Sequence, residues 1–151
     1  MRVHADTSVF GGVYDEEFTA PSRAFFERVR SGRFELVVSP LVAEEITDAP
    51  EPVRELFDEI IRIAEVIPVS EAAIRLQEAY LAARIIGATH KEDALHVAHA
   101  TTAGCKLIVS WNFKHIVHFA KIPLYNAVNV LQGYGAIAIH SPLEVIADEE
   151  V

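Results

Sequence analysis

Three acidic side chains stand at places where a parallel sheet would gather them. Asp6 follows directly on a strand-like run at residues 2–5. Glu45 lies one turn into the helix predicted after a second such run, and Asp93 lies in the first turns of a helix predicted over 89–103. Clustered carboxylates resist ionising together unless cations balance them, and ligands that are all oxygen suit Mg²⁺ or Mn²⁺. The combination predicts a divalent-metal site that can polarise a phosphate and activate water.

Each of these acids also has a purely structural interpretation. Asp6 is a residue type that favours turns, Glu45 could be a solvated surface side chain, and Asp93 could stabilise the positive end of its helix. Glu44 is a rival to Glu45 and would point about 100° away from it around the helix. The functional interpretation therefore depends on the three acids acting together.

Short strand-like runs alternate with longer helical patterns along the chain. The predicted strands cover residues 2–5, 35–38, 66–69, 106–110 and 136–140. The predicted helices run from Pro21 to Gly32, from Leu41 to Thr47, over 53–65, 71–86 and 89–103, and from Pro142 onward. Strands joined by helices imply a mostly parallel sheet covered on both faces, which is a three-layer α/β/α fold. In such sheets, sites form at the carboxyl ends of the strands.

Two local patterns bear on the site. A T-x-x-E sequence from Thr89 to Glu92 predicts a capping box at the start of the helix over 89–103. Because Glu92 then has a structural task, Asp93 is the neighbouring acid without one. Gly11 and Gly12 follow Asp6 too closely to form a phosphate-binding loop, and they predict a tight turn instead.

Composition limits the class of protein. The chain has 151 residues, of which 51% are hydrophobic, so we expect a single domain over residues 1–151 with one substantial core. The net charge of −9 argues against non-specific nucleic-acid binding by the whole surface and suits a basic protein partner. No run approaches the ~20 apolar residues that span a bilayer, and the first residues show no targeting pattern. With Cys105 as the single cysteine, we expect a cytoplasmic protein without disulfides.

Other chemistries have weaker support. His96 and His99 are three residues apart, as are His115 and His118, and either pair could share a metal on one helix face. Paired histidines without cysteine, or without a His-Glu-x-x-His run, are weak support for zinc. No serine stands in a G-x-S-x-G elbow, and no Gly-rich phosphate loop is present in the sequence.

Four runs carry a resemblance to a known family. They read DTSVFGG at 6–12, VVSPLVAEEI at 37–46, EDALHVAHATTAGCKLIVSWNFKHI at 92–116 and NAVNVLQGYGAIAI at 126–139. On these runs the chain resembles PIN domains, and most of all the VapC-like ribonucleases of bacteria and archaea. The likeness covers nearly the whole chain in the family's order.

The resemblance implies a role for each acid. Asp6, Glu45 and Asp93 match the family's first three acids and are the implied ligands of Mg²⁺ or Mn²⁺. Ser8 or Thr7 matches the family's hydroxyl beside the first acid.

The fourth acidic position departs from the family's common pattern. Asn112 keeps a polar oxygen there, and His115 stands where a further aspartate is often found. Whether Asn112 or His115 replaces that acid stays open, as does the number of metals.

The resemblance also implies an RNA substrate. Lys91, Lys114 and Arg84 are candidates to meet the RNA backbone, and each could equally be a solvated surface charge. His115 and Ser8 complete the candidate substrate contacts. Trp111 could stack an unpaired base, or it could be a buried platform beneath the site.

The resulting interpretation is a metal-dependent endoribonuclease in which Asp6, Glu45, Asp93 and Asn112 form the catalytic set. The resemblance further implies a toxin of a toxin–antitoxin pair, an antitoxin protein as partner, and a homodimer. The amphipathic helices predicted over 53–65 and 71–86 are candidate contact surfaces. Two alternatives stay open: a catalytically weakened PIN-like domain that binds a partner or RNA without cutting, and a nuclease acting on DNA or a structured flap.

Overall fold

The computed structural model describes residues 1–147, and within that range short strands alternate with helices. The strands are β1 (Arg2–Ala5), β2 (Glu35–Val38), β3 (Glu65–Val66), β4 (Leu107–Val109) and β5 (Ala138–His140). The helices are α1 (Thr7–Gly12), α2 (Thr19–Arg30), α3 (Pro40–Ile46), α4 (Glu51–Ile60), α5 (Glu71–Ala82), α6 (Lys91–Thr102), α7 (Ile122–Leu131) and α8 (Pro142–Ile146). A 3₁₀ turn at Ala88–His90 directly precedes α6.

The strands form one parallel sheet in the order β3-β2-β1-β4-β5. Val3 of the central strand β1 aligns with Leu36 on one side and with Leu107 on the other. The chain builds outward from β1 to β2 and β3, then crosses back to place β4 on the opposite side of β1. The strand order therefore reverses between β1 and β4, which is where open parallel sheets hold their sites. Asp6 follows β1 and Ser110 follows β4 at this point.

Alternation along each strand divides the core into two layers. Val3 and Ala5 of β1 pack with α1, α2, α3 and α4 on one face of the sheet. Val37 and Ile108 face the other way and pack with α5, α6 and α7. Because successive strand residues point to opposite faces, both faces of the sheet are covered by helices. The predicted three-layer α/β/α fold with its parallel sheet is confirmed.

The prediction of a tight turn at Gly11 and Gly12 is wrong, because both residues belong to α1. Gly12 is needed for a close approach instead. A Cβ atom there would lie 2.6 Å from Ser22 Oγ and 2.7 Å from Trp111 Nε1. Trp111 is 6% exposed and donates from Nε1 to Ser22 Oγ at 2.8 Å. Helix α1 therefore packs against the segment after β4 with no room for a side chain at residue 12.

The predicted capping box of Thr89 and Glu92 is also wrong. Thr89 lies inside the 3₁₀ turn, and α6 begins only at Lys91 without a side-chain cap on its first amides. Because an N-cap residue needs an extended backbone, a residue within a helical turn cannot serve. A capping box does occur at α8, between Ser141 and Glu144, and the predicted start of that helix at Pro142 is confirmed.

Two further elements differ from the predictions. The edge strand predicted over 66–69 is reduced to the two residues of β3, although it does lie at the sheet edge. Helix α7 was not predicted. Among residues 1–147, no helix combines the length and the apolar character that crossing a membrane requires.

Candidate active site

Asp6 is held at the sheet edge by two serine hydroxyls. The carboxylate is 4% exposed. Ser8 Oγ donates to Asp6 Oδ1 at 2.6 Å, and Ser110 Oγ donates to Asp6 Oδ2 at 2.8 Å. Each serine oxygen also accepts a backbone amide, from Trp111 to Ser8 and from Asn112 to Ser110, both at 2.9 Å. These hydrogen bonds connect the segment after β4 to the end of β1, and they fix the orientation of the Asp6 carboxylate.

The electrostatic surroundings of Asp6 destabilise its charge. Burial raises the pKa of Asp6, and the nearby charge of Glu45 adds to this. The charge of His96 and the hydrogen bonds from Ser8 and Ser110 act in the opposite direction but do not offset burial. A buried carboxylate in this state gains stability from a neighbouring cation.

Glu45 is joined to the end of β1 by a side-chain contact. Thr7 Oγ1 donates to Glu45 Oε1 at 2.9 Å, which places this α3 carboxylate beside the residue that follows Asp6. Glu44 is exposed, and its side chain makes no hydrogen bond or ion pair within residues 1–147. Of the two rivals, the structure therefore places Glu45 beside Asp6.

His96 is the basic group that the acids share. It is 2% exposed, and its Nε2 lies 2.6 Å from Glu45 Oε1. Burial alone would lower the pKa of His96, but the hydrogen bond to Glu45 and the charges of Asp6, Glu45 and Asp93 outweigh it, so the pKa is raised. In the sequence, His96 lies three residues after Asp93, the spacing at which two side chains share a helix face.

The same contact shifts the pKa of Glu45. Burial would raise this pKa, but the hydrogen bond and charge of His96, helped by Thr7, lower it. The stabilising protein groups therefore outweigh burial at Glu45 but not at Asp6. The two neighbouring carboxylates thus differ in how much they gain from an added cation.

A row of buried histidines continues behind His96. His96 Nδ1 lies 3.3 Å from His4 Nε2, and the rings of His4 and His99 are 5.3 Å apart. Burial and the neighbouring histidine charges lower the pKa of His4 well below its ordinary value. His99 donates from Nε2 to the Ile67 carbonyl at 2.8 Å. His96 and His99 therefore have separate partners, and within residues 1–147 they belong to no group of three metal-ligating side chains.

The second predicted histidine pair, unlike the first, does not lie on a helix. His118 Nδ1 accepts the backbone amide of Ala120 at 3.2 Å, in a turn before α7. His115 instead stacks on His90, with ring centroids 4.0 Å apart and an interplanar angle of 27°. Burial first, and then the charge of His90, lowers the pKa of His115.

Asp93 lies with these two histidines. One ligand atom each from His90, Asp93 and His115 comes within 4.8 Å of the others, and Asp6 and Glu45 lie outside this group. The charges of the three predicted acids therefore all raise the pKa of His96. Their carboxylate oxygens do not, however, meet at one point within residues 1–147. His90 was not anticipated from the sequence; its spacing of three residues from Asp93 across the start of α6 was the available signal.

The side-chain oxygen of Asn112 stabilises a local turn. Its Oδ1 accepts the amide of His115 at 2.9 Å and that of Lys114 at 3.2 Å. The hydroxyl of Tyr125 donates to the His115 carbonyl at 2.7 Å. The backbone of His115 is thus held on both sides, and the side-chain oxygen of Asn112 is already engaged.

The remaining candidates differ in exposure. Trp111 is buried and stacks on Phe18, with ring centroids 4.0 Å apart, so the structure places it as a platform beneath the site. Lys91 and Lys114 are exposed, and their ammonium groups make no ion pair within residues 1–147. Phe113, next to Asn112, is 48% exposed.

Comparisons with known proteins identify the fold. No family model matches the sequence, and no curated protein matches it either. The VapBC structure from Salmonella typhimurium bound to DNA is similar, with 19% identity, a TM-score of 0.61, and coverage of 94% of this chain and 98% of that chain.

Two further solved structures are similar. VapBC2 from Rickettsia felis, bound to a DNA fragment from the promoter, gives 14% identity, a TM-score of 0.60, and coverage of 93% and 98%. FitAcB from Neisseria gonorrhoeae gives 11% identity, a TM-score of 0.59, and coverage of 93% and 98%. At these identities the likeness shows the fold, and the chain has the PIN-like α/β architecture that the sequence predicted.

Proposed function

We propose that this chain is a single nuclease domain, a divalent-metal-dependent endoribonuclease that acts as the toxin of a toxin–antitoxin pair. One observation carries the proposal. Asp6 is buried at the point where the strand order reverses, with a raised pKa, and Glu45 is tied beside it through Thr7. A divalent cation bound beside the Asp6 and Glu45 carboxylates would compensate their negative charge.

The donor set suits Mg²⁺ or Mn²⁺. Asp6 and Glu45 offer carboxylate oxygens, and Asp93 would offer a third once its side chain turned from His90 and His115 toward them. Oxygen ligands are those that these hard ions prefer. Such an ion, when bound, would polarise a phosphate and lower the pKa of a water molecule. Asp6 would be its most direct ligand, because the protein stabilises the charge of Asp6 less than that of Glu45.

The other residues of the site position these acids. Ser8 and Ser110 fix both oxygens of Asp6, and Thr7 and His96 fix one oxygen of Glu45. A preoriented carboxylate loses little freedom when it engages a ligand, which favours binding. The raised pKa of His96 also favours a positive charge near the place where a phosphate would add negative charge.

Substrate contacts come from the exposed residues around the site. Lys91 and Lys114 offer ammonium groups to an RNA backbone, as phosphate binding requires. Trp111 is buried, so Phe113 is the aromatic side chain there that an unpaired base can reach. We propose single-stranded or loop RNA as substrate, because stacked bases in a duplex would not meet this ring.

The fold likeness supports a proposal for the partner and the location. The similar structures are VapBC and FitAB assemblies, several of them bound to DNA. We propose that this chain is likewise covered by an antitoxin protein, forms a homodimer and works in the cytoplasm. The net charge of −9 suits a partner with basic segments.

A second candidate function is favoured by one feature. Glu45 already has His96 as a basic partner, and the oxygen of Asn112 is engaged by two backbone amides. A domain whose acids are satisfied in this way could bind RNA or a protein without cutting. This alternative predicts RNA binding that does not depend on metal.

Cleavage of a labelled RNA by the purified chain with Mn²⁺ separates the two functions. We expect cleavage that chelation with EDTA abolishes and that Asp6→Asn and Glu45→Gln reduce by at least about a hundredfold, the scale of losing electrostatic stabilisation in a site. Glu44→Gln is the matched control, since this neighbouring acid makes no side-chain hydrogen bond or ion pair within residues 1–147, and it should cleave like the wild type. RNA binding without cleavage in any divalent metal would establish the alternative.

A further inference from the structure

His90, Asp93 and His115 lie close enough to bind one ion. One nitrogen from each histidine and one oxygen from Asp93 fall within 4.8 Å of one another. Metal bonds to such atoms are about 2.0–2.2 Å long, so donors around one ion stand roughly 3–4 Å apart. Small side-chain rotations would therefore bring all three into one coordination shell.

These three side chains are not engaged elsewhere. Within residues 1–147, neither imidazole nor the Asp93 carboxylate makes a hydrogen bond or an ion pair. His115 Nδ1 is buried and has no hydrogen-bond partner in that range. Buried polar atoms are normally satisfied, and each exception calls for an explanation such as an ion. In contrast, Asp6 and Glu45 each have two protein donors.

The backbone holds the three groups in place. His90 ends the 3₁₀ turn and Asp93 lies in the first turn of α6, so they are three residues apart on a continuous helical stretch. Side chains at that spacing share one face. His115 lies in the loop after β4. Its amide donates a hydrogen bond to Asn112 Oδ1, and its carbonyl accepts one from the Tyr125 hydroxyl.

We propose that His90, Asp93 and His115 bind a borderline divalent ion of the Zn²⁺ class, with the remaining coordination positions open to solvent. Two imidazole nitrogens and one carboxylate oxygen are a ligand set that Zn²⁺, Co²⁺ and Ni²⁺ accept readily and that Mg²⁺ does not. This site goes beyond the proposed nuclease function. Asp93 would be a ligand in both proposed metal sites, whereas His90 and His115 would be ligands of the Zn²⁺-class ion alone.

Zinc competition against a chromophoric chelator tests this proposal on the full chain without an affinity tag. We expect one zinc ion per chain, which an excess of Mg²⁺ does not displace. Loss of a group that only orients a metal ligand lowers affinity by about 10–100-fold, so His90→Gln and His115→Gln should weaken zinc binding at least that much. His140→Gln is the control, because this histidine is 44% exposed, lies on the edge strand β5 and pairs with Glu144 instead.

Co²⁺ absorption provides a second readout. The wild type and the His140→Gln variant should develop visible ligand-field bands of a nitrogen-containing site, and His115→Gln should not, with all three proteins showing the same circular dichroism. Wild-type zinc affinity in both His90→Gln and His115→Gln, or no zinc uptake by the wild type, would overturn the site. Either result is independent of Mn²⁺-dependent RNA cleavage and its loss in Asp6→Asn, so the two proposals fail separately.

Discussion

His96 Nε2 lies 2.6 Å from Glu45 Oε1, and His96 is only 2% exposed. This contact joins α6 to α3 across the edge of the sheet, and Asp6 and Asp93 both act on the same imidazole. His96 is therefore the basic side chain on which the charges of the three acids act together, and they favour its protonated form. The contact matters both for the stability of the fold and for the geometry of Glu45.

Breaking the contact should destabilise the fold. We expect His96→Ala to lower the free energy of unfolding by about 2–4 kcal/mol, since it leaves a cavity and removes a hydrogen bond to a charged group. A double-mutant cycle with Glu45→Ala in urea should give a coupling of about 1–3 kcal/mol for the pair. Coupling below about 0.5 kcal/mol would show that the two side chains do not interact in solution.

Gly12 should tolerate no side chain, whereas Gly11 should. In Gly12→Ala, the added methyl meets Ser22 Oγ at 2.6 Å and Trp111 Nε1 at 2.7 Å. We expect a loss of about 1–3 kcal/mol in unfolding free energy, as in other overpacked sites, together with a shift in tryptophan fluorescence. Gly11→Ala is the matched control in the same helix, with nothing within 4 Å. Equal effects of the two substitutions would contradict the packing described for α1.

Acid should destabilise the protein through its buried neutral histidines. Burial lowers the pKa of His99, and that of His4 lies well below its ordinary value of 6.5. Their stabilising contribution is fully present above the pKa of the unfolded chain and is lost as the pH falls below it, because the unfolded state then binds more protons. His96, with its raised pKa, acts in the opposite direction.

The variant His99→Gln tests this dependence. Glutamine can still donate to the Ile67 carbonyl but does not titrate, so stability measured in urea from about pH 7.5 to pH 5 should fall less steeply. The slope should change by up to about 1.4 kcal/mol per pH unit, the value for one proton. His140→Gln, with a ring 44% exposed, should leave the slope nearly unchanged. An unaltered slope in His99→Gln would contradict a neutral His99.

Ser110 should matter for metal binding more than for folding. Ser110→Ala removes the donor to Asp6 Oδ2 and the acceptor of the Asn112 amide. Because partners that orient a ligand contribute about 10–100-fold to metal affinity, Mn²⁺ binding by calorimetry should weaken by about that factor. Ser31→Ala, which removes a hydroxyl that donates to the Arg28 carbonyl at the end of α2, is the control. Unchanged Mn²⁺ affinity in Ser110→Ala would exclude a role for this serine in orienting Asp6.

Much of the fold was predictable from local patterns. The strand at residues 2–5, the turn to Asp6 and the strand at residues 35–38 follow from short buried runs that end in polar residues. Helix α7 was missed because the run from Ile122 to Leu131 is apolar on nearly every side, so no helical period stands out.

The site itself was predictable only in part. Asp6, Glu45 and Asp93 could be chosen from their places relative to predicted strands and helices. The pairing of Glu45 with His96, and of His115 with His90, depends on side chains from distant segments meeting in the fold. A single sequence carries no signal for such contacts.

A crystal structure with Mn²⁺, using anomalous scattering at the manganese edge, tests the metal site most directly. We predict an anomalous peak within bonding distance of an Asp6 carboxylate oxygen and close to Glu45, and no such peak in Asp6→Asn crystals grown in the same way. Wild-type crystals saturated with Mn²⁺ that show no peak beside Asp6, or a peak only between His90 and His115, would contradict a catalytic metal held at the end of β1.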